Sequence, residues 1–248
     1  MMTFWYRVCW WICRIGLFFW HPVFHVVGRE LVPAGKAVLS VNHSGCADAI
    51  WLLLALDAPQ MCRIIAKKEL RSVPVVGWVM EKFRIIFVDR AAHDGTAYHE
   101  GVKALENDEK MMVFVEGTRC NGKKHVRAKT GAVRMAVEAD APVVPVFITR
   151  NKTPWCPINV IFGEPYYVEK RDHWTHDEYQ HEADELLRKI YKLGGDTYAD
   201  HIGEDSGLLL RRCPRNHGGR TRPQGTQGPQ LRQAGHARPH HPQPPRGG

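Results

Sequence analysis

"KAVLSVNHSGCADAIWLLLAL", residues 36–56, decides how this chain folds. Lys36 to Val41 reads as a short buried strand, and Asp48 to Leu56 reads as a helix. A brief connection containing Gly45 joins them. Strand handing directly to helix is the repeating unit of an α/β domain. The pattern recurs downstream. Cys62 to Ala66, Ile85 to Val88, Met111 to Val115, Val143 to Ile148 and Ile158 to Phe162 read as strands. Val75 to Phe83, Asp94 to Glu106, Thr130 to Ala139 and Thr175 to Leu193 read as helices. In the last helix, Ala183, Leu186, Leu187, Ile190 and Tyr191 form one apolar stripe, which Gly194-Gly195 ends. The expected fold is α/β, with a mixed, largely parallel central sheet flanked by helices. In such sheets sites gather at the carboxyl ends of strands, where residues 42–48 lie.

The chain's 248 residues include 44% hydrophobic side chains, enough for one buried core. Its formal charge of +8 is misleading, because eight arginines and no acid follow Gly207. The remaining 26 basic residues balance the 26 acidic ones, so residues 1–206 carry no net charge. A nucleic-acid-binding domain is therefore not expected. Residues 207–248 hold seven prolines and eight glycines with almost no apolar content, and are expected to be a disordered basic tail. A basic arm, or a stretch read out of frame, are the other readings of that composition. The seven cysteines are scattered, without any C-x-x-C pair. They fit neither a disulfide framework nor a zinc site and point to a reducing compartment.

Residues 1–28 are dense in aromatics and punctuated by Arg7 and Arg14. The uncharged run from Ile15 to Gly28 is too short to span a bilayer comfortably. A helix of this composition suits the headgroup region, with arginines reaching phosphates, so a monotopic membrane-associating segment is expected. A helix buried in the core is the alternative. The boundaries are then 1–28 for this segment, 29–206 for a catalytic domain and 207–248 for the tail.

His43 and Asp48 stand five positions apart. A turn between them could bring Asp48 onto one imidazole nitrogen and leave the other free as a base. Equally, Asp48 could be an ordinary helix cap and His43 a loop residue. Ser44 and Cys46 lack the setting of an activated nucleophile, so a substrate hydroxyl would have to attack. A second cluster, "FVEGTRC" (114–120), places Glu116, Gly117, Thr118 and Arg119 after a strand. A basic loop with Lys123, Lys124, Arg127 and Lys129 follows and leads into a helix. Cations at a helix start suit an anion, and Arg119 could grip a phosphate with two N–H groups. Arg90, ending "RIIFVDR" (84–90), could join it, and Lys67 is a weaker strand-end candidate. A metal hydrolase built on His43, Asp48, His93, His99 and His125 fits poorly, since these lack ligand spacing.

Four blocks in this order resemble the glycerolipid acyltransferases, and most closely the 1-acyl-sn-glycerol-3-phosphate acyltransferases. Asn42, His43 and Asp48 match N-H-x-x-x-x-D. "RIIFVDR" is similar to G-x-I-F-V-D-R, "FVEGTRC" to F-P-E-G-T-R-S, and "APVVPV" (141–146) to V-P-V-V-P-V. The departures are Gly45, Arg84, Val115 and Cys120, of which Arg84 bears on the acceptor pocket. The resemblance implies the glycerol-3-phosphate acyltransferase fold and transfer of an acyl chain from acyl-CoA or acyl carrier protein to lysophosphatidate. It implies His43 as base and Asp48 as its orienting carboxylate. Arg90, Glu116, Gly117, Thr118 and Arg119 would bind the acceptor, with Asn42, Lys67 and Lys129 as weaker candidates. No metal or cofactor would be needed, and the enzyme would work at the cytoplasmic face of a membrane. Glycerol 3-phosphate or another lysophospholipid could be the acceptor, and a non-catalytic lipid-binding protein is the alternative of another class.

Overall fold

A computed structural model of the protein describes residues 2–56, 62–83, 85–88, 95–120 and 126–195. The Pro/Gly/Arg-rich tail, Arg84, Arg90, His93, Lys123, Lys124 and His125 lie outside the described residues.

The chain opens with helix α1 (Met2–Trp20), followed by strands β1 (Phe24–Val27) and β2 (Ala37–Val41), α2 (Asp48–Ala55) and β3 (Cys62–Lys67). Then come α3 (Pro74–Lys82), β4 (Ile86–Val88), α4 (Thr96–Glu106), β5 (Lys110–Phe114) and α5 (Gly131–Glu138). Strands β6 (Val143–Ile148) and β7 (Ile158–Phe162) and helix α6 (His176–Leu193) complete the domain. The seven strands form one sheet in the order β1-β7-β6-β2-β5-β3-β4. Every neighbouring pair is parallel except β6 and β7. The expected α/β class holds, and from β2 onward the strands and helices fall within two residues of their expected ends.

Side chains alternate across a strand, so the sheet builds two cores. Val38, Met111, Val143 and Phe147 face α4, α5 and α6 on one side. Leu39, Val41, Met112, Val144, Val146 and Ile148 face α2 on the other, where Trp51 and Leu52 are fully buried. At the start of α6 the side chain of Thr175 accepts Glu178 N–H, and Glu178 reaches back to Thr175 N–H. This reciprocal cap fixes where the helix begins.

The amino-terminal segment departs from expectation. The helix stops at Trp20, and Phe24–Val27 forms edge strand β1 beside β7. The segment 1–28 is therefore not helical throughout, and the sheet begins at residue 24 rather than 29. His21 is buried with its Nδ1 3.0 Å from the Cys156 carbonyl, and Pro22 follows it, so the chain cannot continue as helix. The period-2 alternation of "FHVV" is short and stands directly behind the aromatic run that dominates the stretch. Helix α1 rests Trp10, Cys13 and Leu17 on the α2 side of the sheet. Its other face leaves Phe4, Trp11, Ile12, Ile15, Phe18 and Phe19 exposed, Phe19 by 71%. Arg7 is exposed, but Arg14 sits over the Phe24 ring, 5.6 Å from its centroid, so the two arginines do not share a solvent face. No helix among the described residues is long and apolar enough to cross a membrane. Cys46, Cys62 and Cys120 are thiols outside any disulfide, whereas Cys156 is disulfide-bonded, which the scattered spacing gave no sign of.

Candidate active site

Strands β2, β5 and β6 lie side by side, so the segments after their carboxyl ends meet in one place. Asn42, just past β2, bonds the main chain of Ile148 at the end of β6. Its Nδ2 donates to the Ile148 carbonyl (2.9 Å), and its Oδ1 accepts Ile148 N–H (2.7 Å). The amide thus extends the β2–β6 ladder by one step and holds the next residue, His43, at the sheet edge.

The turn from His43 to Asp48 closes on the Asp48 carboxylate, which is completely buried. Asp48 Oδ2 lies 2.9 Å from His43 Nδ1 and accepts the N–H groups of Ser44 (2.6 Å) and Gly45 (2.7 Å). A carboxylate only accepts, so His43 Nδ1 carries its proton and Nε2 is left as the basic nitrogen. Asp48 is not a helix cap. The cap residue is Ala47, no side chain caps the helix, and the carboxylate points back into its own turn. Lys152, in the segment after β6, places Nζ 2.5 Å from Asp48 Oδ1 as an ion pair. Burial alone would raise the Asp48 carboxyl. The hydrogen bond from His43, the Lys152 ammonium and Gly45 N–H outweigh burial and hold the carboxyl below the usual aspartate value. The imidazole also stacks on Phe114, the last residue of β5, with ring centroids 4.0 Å apart.

The segment after β5 approaches from the other side. Glu116 is 2% exposed, with both carboxylate oxygens engaged. Oε2 accepts the main-chain N–H of His43 (2.7 Å), and Oε1 accepts the Tyr191 hydroxyl from α6. Burial raises the Glu116 carboxyl, and the donors from Tyr191 and His43 and the charge of Arg150 only partly offset it. Glu116, expected among the acceptor-binding residues, holds the backbone of His43. Cys120 N–H donates to the His43 carbonyl (2.7 Å), a second tie between the two segments. Gly117 has φ of +65°. A side chain there would meet Lys129 Cγ at 2.8 Å, so the stem of Lys129 lies against this turn. Thr118 and Arg119 are exposed, and Arg119 Nη1 lies 2.8 Å from Cys46 Sγ, bridging the turn after β5 to the turn after β2. Lys67 is exposed at the end of β3, two strands from β2. Among the described residues no group of three or more His, Cys, Asp or Glu side chains could hold a metal ion.

Sequence reasoning missed Lys152, Arg150, Tyr191 and Phe114. The motif pattern ends at Val146, and the others reach the site only through strand order and the return of α6.

A mostly parallel α/β domain with a buried aspartate behind a strand-end histidine has the make-up of an enzyme's active site. The chain belongs to the acyltransferase family, whose model matches residues 23–149, over half of it. It is 32% identical over 144 residues to the 1-acyl-sn-glycerol-3-phosphate acyltransferase of Saccharomyces cerevisiae, covering 56% of this chain and 46% of that one. It is 32% identical over 121 residues to the Bacillus subtilis enzyme of the same name, covering 48% and 59%. The chain thus spans about half the length of the curated relatives it matches. Among solved structures it is similar to PlsC, the 1-acyl-sn-glycerophosphate (LPA) acyltransferase from Thermotoga maritima. The TM-score is 0.54 at 26% identity, covering 69% of this chain and 72% of that one.

Proposed function

We propose that this protein transfers an acyl chain from an acyl thioester to the sn-2 hydroxyl of 1-acyl-sn-glycerol 3-phosphate, giving phosphatidic acid. The donor is acyl-CoA or acyl carrier protein. The observation that carries the reading is the His43–Asp48 pair, with its two neighbouring nucleophiles already engaged. Ser44 Oγ accepts from Lys152 Nζ (2.5 Å), and Cys46 Sγ is held by Arg119. The hydroxyl that His43 activates therefore arrives with the acceptor.

In this reading His43 Nε2 removes the proton as the acceptor oxygen attacks the thioester carbonyl. The tetrahedral intermediate collapses, the carbon–sulfur bond breaks, and the imidazolium returns its proton to the departing thiolate. Asp48 holds the tautomer and stabilises the imidazolium in between. Arg119 receives the acceptor phosphate, with Thr118, Gly117 and Lys129 at the same turn and Arg90 completing the grip. Asn42 and Glu116 hold His43 in place, and Lys67 lines the approach. The chemistry needs no metal or cofactor.

The exposed aromatic face of α1 is read as lying in the headgroup layer on the cytoplasmic side, which brings the lysolipid to the site without a spanning helix. Acyl transfer from a labelled acyl thioester to lysophosphatidate in vesicles tests the activity. His43→Ala should lower it by at least ~100-fold, and an unchanged rate would overturn the mechanism. Running glycerol 3-phosphate and other lysophospholipids in parallel identifies the acceptor. For the anchor, replacing Trp11, Phe18 and Phe19 together by serine leaves the core-facing side intact. Vesicle binding should then fall by roughly tenfold or more; binding at the parent level would rule out this face as the anchor.

A further inference from the structure

Lys152 is the one described cation whose side chain reaches behind the catalytic pair, in the stretch "TRNK" (149–152). Its Nζ donates to Ser44 Oγ (2.5 Å) and to the Thr149 carbonyl (2.8 Å) and forms an ion pair with Asp48 Oδ1 at 2.5 Å. Two hydrogen bonds and one ion pair thus hold the ammonium against the catalytic turn. A Cβ on Gly45 would lie 3.2 Å from Lys152 Cδ, so the lysine stem packs directly on the His43–Asp48 turn. Arg150, two residues earlier, brings its charge to Glu116 and lies over the Tyr191 ring, 5.1 Å from its centroid. One short segment after β6 therefore pairs a cation with Asp48 and brings a second positive charge to bear on Glu116.

We infer that Lys152 is a positioning residue that acts through Asp48: it takes the carboxylate oxygen that His43 does not use and so tempers the base. The physical reason is charge. An Asp48 anion serving His43 alone would favour the protonated imidazole strongly, and a base that holds its proton cannot accept one from a hydroxyl. A cation on the opposite oxygen withdraws part of that negative charge, while its bonds to Ser44 and Thr149 fix the turn. The other groups facing His43 are accounted for. Glu116 from the β5 side bonds its main chain and is offset by Arg150 and Tyr191, Cys120 bonds its carbonyl, and the neighbouring Arg119 is turned to Cys46. Among the described residues, Lys152 is the cation paired with the carboxylate that orients the ring.

The role in turnover rests on the acyltransferase reading, so two readouts are needed, one of which requires no substrate. The first is the rate–pH profile of acyl transfer. Lys152→Gln keeps a donor for Asp48 but loses the charge, and should move the acidic limb up by about one pH unit, costing roughly tenfold in kcat/KM on that limb. Lys152→Arg keeps the charge, and its limb should stay at the parent position whatever rate it retains. The second is the proton resonance of His43 Nδ1–H in detergent-solubilised protein, which should move downfield in Lys152→Gln as Asp48 becomes the stronger acceptor. A limb and a resonance both superimposable on the parent's would overturn the inference and leave Lys152 a packing residue. If the parent shows no transfer, the functional reading fails, and the resonance alone decides the role of Lys152.

Discussion

The turn after β2 and the turn after β5 each bury one carboxylate, and the two carboxyls are pushed in opposite directions. Asp48 lies below the ordinary aspartate range and Glu116 above the ordinary glutamate range. Burial raises both. The difference lies in the donors. Asp48 collects an imidazole N–H, two main-chain N–H groups and a paired ammonium, whereas Glu116 accepts one main-chain N–H and a phenol and feels the charge of Arg150. Depth sets the penalty, and the count and charge of donors decide whether it is overcome. The first turn thus keeps a permanent anion behind the base, and the second holds a carboxyl whose ionisation is costly.

The comparison breaks most visibly at Asp48. Asp48→Asn keeps the shape but offers a donor or a neutral acceptor to His43 Nδ1, so the tautomer is no longer fixed. Acyl transfer should fall on the order of 10³-fold in kcat with little change in KM. A loss confined to KM would show that Asp48 serves the acceptor instead. Stability carries its own signature. Because the folded-state pKa of Asp48 is depressed, its contribution is present above the ordinary aspartate value and disappears as pH falls through the depressed one. Urea melts of Asp48→Asn and parent should therefore differ more at neutral pH than in strong acid.

The site's skeleton was legible because it is local. His43 and Asp48 share one turn, and strands β2, β3, β5, β6 and β7 were marked by apolar runs between turn residues. Edge strand β1 was not legible, since "FHVV" sits behind an aromatic helix and its partner β7 is far along the chain. Lys152, Arg150 and Tyr191 were hidden for the same reason. Nothing in their neighbours marks them, and only the order β6-β2-β5 and the return of α6 carry them to the two carboxylates. Glu116 was legible as a motif residue beside the phosphate-suited Arg119, but its bond to the His43 main chain was not. In the turn after β5 Glu116 points inward, while Arg119, three residues on, stays exposed.

Both carboxylates depend on His43 being held where strand β2 ends, and Asn42 supplies that hold. Asn42→Ala removes two hydrogen bonds and leaves the Ile148 N–H and carbonyl facing an apolar methyl. The cost should be about 3 kcal/mol, read from urea denaturation. The rate should fall as well, because both Asp48 and Glu116 are placed relative to the residue after Asn42. A variant as stable as the parent would mean that β2 and β6 hold their register without this amide.

The smallest effect expected is the most selective. Burial, followed by the adjoining Glu116 carboxylate, pushes the Tyr191 phenol upward, so the phenol is the donor and Glu116 the acceptor. Tyr191→Phe leaves the ring between α6 and the sheet and deletes only that donor, at a cost of about 2 kcal/mol when Glu116 is ionised. The sign follows from the raised carboxyl. Its contribution to stability is complete below the ordinary glutamate value and is lost as pH rises through the folded-state value. The phenol stabilises the ionised form, so its removal should cost most at neutral pH and progressively less as acid protonates Glu116. Parent and variant stability curves should therefore converge toward low pH. Curves that stay parallel across that range would mean the hydroxyl serves packing rather than the carboxylate, and the contrast between the two turns would then rest on burial alone.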